Sequence, residues 1–121
     1  MGLDQYAFRV DENGERTEIA YWRKHNRLQG WMENLWYEIR KNTEEFNCVD
    51  MELNWEDVMQ LATDIEKRNL PDTTGFFYGS DSYDYGSLNG VYEDLPADLK
   101  FIETSKIALD CGDKVVYTCW Y

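Results

Sequence analysis

Residues 26–41 read NRLQGWMENLWYEIRK, and their spacing decides how the rest of the chain is read. Leu28, Trp31, Met32, Leu35, Trp36 and Ile39 recur at i, i+3, i+4, i+7, i+8 and i+11, the apolar stripe of an amphipathic helix. Asn26 stands where an N-cap belongs, with Gln29 three residues later. Arg40 and Lys41 suit the negative end of the helix dipole. A helix of this kind needs an apolar partner layer.

Strand patterns on either side supply that layer. Residues 4–10 (DQYAFRV) alternate, with Tyr6, Phe8 and Val10 on one face. Asn13-Gly14 follows and signals a tight hairpin, with residues 16–22 (RTEIAYW) as its return strand. Residues 49–53 (VDMEL) form a short strand. Asn54 then caps a second helix from Trp55 to about Arg68, whose stripe is Val58, Leu61, Ala62 and Ile65 and which Leu70-Pro71 stops. A third helix is expected from Pro96 to Asp110, with Leu99, Ile102, Lys106 and Leu109 on one face and Gly112 just past its end. Residues 115–121 (VVYTCWY) close the chain as a strand. The expectation is one α+β domain over residues 1–121: a small mixed sheet, the N-terminal hairpin plus the C-terminal strand, packed against about three helices.

The chain has 121 residues, 43% of them hydrophobic and 16% aromatic, enough bulk to order a core. Its net charge of −12 is unevenly placed. Residues 1–41 hold seven Lys/Arg and seven Asp/Glu, whereas residues 42–121 hold five and seventeen, and so carry the imbalance. Direct nucleic-acid binding is not expected without a clustered basic face. An acidic surface suits solubility, a basic protein partner, or imitation of nucleic-acid charge. Three cysteines without C-x-x-C spacing suggest thiols in a reducing, cytoplasmic setting, and Cys119 reads as buried. No apolar run approaches the roughly 20 residues that span a bilayer, so no membrane association is expected.

Two segments could form a site. Arg23, Lys24, His25, Asn26 and Arg27 sit between a strand and a helix start, where backbone N–H groups and cations suit an anion. His25 is the chain's one imidazole, available for proton transfer. The plain alternative is ion pairing with the many acids. The second segment joins Tyr78, Asp81, Tyr83, Asp84, Tyr85, Tyr92, Glu93 and Asp94 in a Gly- and Ser-rich stretch, the composition of an adaptable protein-binding loop. Its plain alternative is aromatic edge cover.

Asp81 and Gly86 match two positions of a calcium loop, but Tyr83, Tyr85 and Tyr92 fall where ligands are required. Neither that site nor a zinc site is expected, and no cofactor. Without a nucleophile elbow, P-loop or dinucleotide fingerprint, no catalytic residue is assigned. The leading expectation is a non-enzymatic acidic interaction protein. The alternative is a small-molecule or anion-binding protein, or an enzyme, built on the Arg23-Lys24-His25 cluster.

Four motifs extend over nearly the whole chain: Met1-Gly2-Leu3-Asp4-x-Tyr6; Tyr21-Trp22-Arg23-Lys24-His25-Asn26-x-Leu28 with Trp31; Leu70-Pro71-x-Thr73-x-Gly75-Phe76-Phe77-x-Gly79; and Val116-Tyr117-x-x-Trp120-Tyr121. Together they resemble a family of small proteins of bacteriophages, cyanophages especially, and of some bacteria, a family without an established activity. The resemblance implies a phage protein made in the cytosol of an infected bacterium, and the protein partner expected from the charge asymmetry and the Tyr-rich loop is then a host or phage protein.

Overall fold

The computed structural model describes residues 3–71 and 95–121. Its elements are β1 (Asp4–Val10), β2 (Arg16–Arg23), α1 (Asn26–Glu33), β3 (Asp50–Leu53), α2 (Trp55–Glu66), α3 (Leu95–Asp110) and β4 (Lys114–Trp120). The class is α+β, as expected. The four strands pair in the order β2-β1-β4-β3, and where a mixed sheet was expected every pairing is antiparallel.

The hairpin follows local chemistry. Asp11 Oδ1 accepts the backbone N–H groups of Asn13 and Glu15, each at 2.9 Å, while Gly14 takes φ +80°. That conformation costs glycine little and other residues more. Opposite Ala7 and Phe8, strand β2 carries one extra residue: Ala7 pairs Ala20 and Phe8 pairs Glu18, leaving Ile19 as a bulge. A bulge bends its strand and increases the twist.

The helices end as their sequences direct, with two corrections. Asn54 Oδ1 accepts from the Asp57 amide at 2.8 Å and Asp57 returns the bond, closing a capping box on α2. Gly112, at φ +87°, ends α3 in a Schellman turn, with Asp113 N–H to Ala108 O and Gly112 N–H to Leu109 O. For α1, however, the cap is His25, whose Nδ1 accepts from the Leu28 amide at 3.4 Å, and not Asn26, which is buried. Beyond Glu33 the helix continues as a π-helix over Asn34–Ile39, where Arg40 N–H reaches Leu35 O. The wider turn rotates the last stripe position outward, and Ile39 is 64% exposed while Leu28, Met32, Leu35 and Trp36 are buried.

In α3 the inward face is Asp98, Phe101, Ile102, Ser105 and Ala108. Of the expected face only Ile102 is fully buried, and Leu99 lies 51% exposed.

The core fills one face of the sheet. Leu3, Ala7, Trp22, Met51, Leu53, Val115, Tyr117 and Cys119 are buried and share one parity on each strand. All three helices pack against that parity. Trp22 meets Phe101 edge-on at 5.1 Å, and Phe46 stacks on Trp36 at 5.0 Å. The other parity, which includes Tyr6 and Phe8, faces away from the helices. Among the described residues no helix is long and apolar enough to cross a membrane.

Candidate functional site

The Arg23–Arg27 segment does not converge on one point. Arg23 is exposed and lies 3.8 Å from Asp4. Lys24 is exposed and occupies the left-handed region at φ 56°. Arg27 donates to Leu70 O at 3.0 Å. His25 and Asn26 turn inward and are buried.

His25 belongs to a polar chain through the core. Its Nε2 lies 2.8 Å from Asp98 Oδ2, and Trp22 Nε1 donates to Asp98 Oδ1 at 2.8 Å. Because a backbone N–H is only a donor, His25 Nδ1 is an acceptor, and the hydrogen-bond pattern assigns the neutral Nε2–H tautomer. Asp98 sits in the first turn of α3, where the helix dipole favours a carboxylate. Gln5 binds the His25 backbone on both sides: Oε1 accepts from its N–H at 2.8 Å, and Nε2 donates to its carbonyl at 3.0 Å. Gln5 Nε2 also donates to the Tyr117 hydroxyl, which donates to Gln29 Oε1 at 2.6 Å. Gln29 Nε2 in turn reaches Cys119 Sγ at 3.2 Å.

Burial pushes the Cys119 thiol up to about 12, against the opposing hydrogen bond from Gln29. A thiol so placed is held protonated and is a poor nucleophile. The chain of groups joins β1, α1, α3 and β4 and satisfies buried polar atoms. Its geometry serves the fold, and the carboxylate of Asp98 beside His25 repels an anion there.

The open face of the sheet is different in kind. Tyr6 lies at its centre, with its ring centroid 5.1 Å from Tyr21, 6.2 Å from Phe8 and 6.3 Å from Trp120. Trp120 is 56% exposed and Tyr21 46%. Beneath them Val116 and Thr118 are nearly covered although they face away from the core. The hydrogen bond from the Tyr21 hydroxyl to Asp4 Oδ1, at 3.0 Å, holds that phenol above its ordinary range.

Charged groups rim the aromatics. Arg16, on edge strand β2, pairs with Asp50 on the opposite edge strand β3, and its guanidinium passes 5.5 Å above the Phe8 ring. Three strand spacings separate those edges, roughly 14 Å in a flat sheet at about 4.8 Å each. Side chains meet across them only because the sheet curls toward this face, as the bulge at Ile19 favours. The result is a groove of about 420 Å³, bounded by Tyr6, Phe8, Trp120, Thr118, Glu18 and Cys48 together with the Arg16–Asp50 pair.

No family model, curated protein or solved structure matches this chain.

The groove combines aromatic faces, two carboxylates and one arginine. That set suits recognition by stacking and charge. Among the described residues no three His, Cys, Asp or Glu side chains gather as metal ligands would. Tyr78, Asp81, Tyr83, Asp84, Tyr85, Tyr92, Glu93 and Asp94 lie outside the described residues. The groove residues were missed in the sequence because the stripe Tyr6, Phe8, Val10 reads equally well as a core face. No local signal marks them, because the polar residue that alternates with them, Gln5, lies on the buried side.

Proposed function

We propose that this chain is a non-enzymatic binding module that docks a protein partner on the open aromatic face of its sheet. One observation carries the reading: Tyr6, Phe8, Tyr21 and Trp120 cluster on a face that no described helix covers. Solvent-facing aromatics gathered in a concave patch are what interfaces use, because Tyr and Trp bury large area at low entropic cost. His25, Asp98 and Cys119 are buried on the helix side of the sheet and bring no acid–base pair to that face, which favours binding over turnover. The resemblance to small phage proteins would place the partner in an infected bacterium.

Affinity capture from cells tests the reading. Three baits are compared: the unaltered chain, the double variant Tyr6→Ser/Trp120→Ser, and Trp55→Ser, which alters an exposed tryptophan on α2. Capture lost in the double variant and kept in Trp55→Ser is the expected result. Capture kept in all three rules out this face.

A further inference from the structure

Resting on that reading, we infer that the groove recognises a cationic side chain, an arginine guanidinium or lysine ammonium presented by a basic segment of the partner. The protein's own Arg16 already shows the chemistry. Its guanidinium lies over the Phe8 ring and meets the Asp50 carboxylate, with 45% of the side chain still exposed. An aromatic face plus a carboxylate is a cation site.

The groove has a second set of the same groups. Tyr6 and Trp120 offer ring faces beyond Phe8, and Glu18 brings another carboxylate to the lining. Glu18 is exposed and forms no ion pair within the described residues. An incoming cation therefore finds one carboxylate without an ion-pair partner and one held by a displaceable arginine. The charge of −12 carried by the whole chain adds long-range attraction for a basic partner and repels a polyanion. Arg16 becomes an internal competitor, occupying part of the groove until the partner's cation displaces or extends it.

The probe is a short peptide of arginines alternating with glycines, titrated into the full chain by calorimetry. At about 0.15 M salt, attraction beyond roughly 8 Å is screened. Saturable binding is expected, weakened about tenfold by Trp120→Ala and severalfold by Glu18→Gln, and unchanged by Trp55→Ala. Arg16→Ala is expected to tighten it about threefold by removing the competitor.

Binding indifferent to Trp120→Ala would mean diffuse attraction to acidic surface and would overturn the inference. So would absence of binding, tighter binding of a single-stranded oligonucleotide, or self-association that Trp120→Ala abolishes. A partner captured through Tyr6 and Trp120 that the basic peptide cannot compete off would sink the cation assignment and leave the binding module standing.

Discussion

Trp22 Nε1 donates to Asp98 Oδ1 at 2.8 Å, joining the second strand of the hairpin to the first turn of α3 across 76 positions of sequence. With His25 on its other oxygen, Asp98 holds two buried donors at once. Removing it leaves both without that acceptor. Asp98→Ala is expected to cost about 3 kcal/mol and Trp22→Phe about 1–2 kcal/mol, read as shifts in urea midpoint at unchanged slope. An Asp98→Ala loss under about 0.5 kcal/mol would show that the contact contributes little to the fold.

Tyr117 makes the next link, accepting from Gln5 and donating to Gln29. Tyr117→Phe keeps the ring against Trp22 and Phe46 but strips the hydroxyl. A loss of about 1–3 kcal/mol is expected, because two buried amide groups lose that partner. Thermal unfolding of the variant would read it, and no change in melting temperature would contradict it.

The thiols divide sharply. Cys48 and Cys111 are exposed, and Cys119 is buried. A disulfide reagent at pH 8 should titrate two thiols quickly and the third only on unfolding. Cys119 also gives stability a pH dependence. Its ordinary value is 9.0 and its folded value is pushed up to about 12, so its contribution is complete below pH 9. It is lost as pH rises from about 9 to 12, because the unfolded chain releases the proton first. Cys119→Ala should flatten that alkaline decline relative to the unaltered chain.

Arg16→Ala separates stability from binding. Its pair with Asp50 is exposed on both sides, and such pairs contribute at most about 1 kcal/mol. The variant should unfold within about 1 kcal/mol of the parent while its groove changes markedly. A larger loss would make Arg16 a structural strap across the sheet.

Much of the frame was legible because its rules are local. The Asn13-Gly14 turn, the Asn54 cap, the Gly112 stop and the stripe Val58, Leu61, Ile65 each depend on a few neighbouring residues. Contacts distant in sequence were not legible. His25 reads as a surface cation beside Arg23 and Lys24, and only the approach of Asp98, 73 positions away, turns it inward. In α3, Leu99 and Phe101 each begin a plausible stripe, and helix packing decides between them. The site failed to appear for a related reason. Both parities along β1 and the residue before it carry apolar residues, Leu3 and Ala7 on one and Tyr6, Phe8 and Val10 on the other, so alternation alone does not say which faces the helices. The helix packing leaves the bulkier set outside.

Cys48 lines the groove, whereas Cys111 lies at the far end of α3, and both are open to solvent. Their alkylation rates, measured by mass spectrometry with and without the arginine–glycine peptide, therefore footprint the open face directly. Slowed modification of Cys48 with an unchanged rate at Cys111 is the predicted result. Equal slowing at both, or at neither, would contradict a cation-binding site on the aromatic face of the sheet.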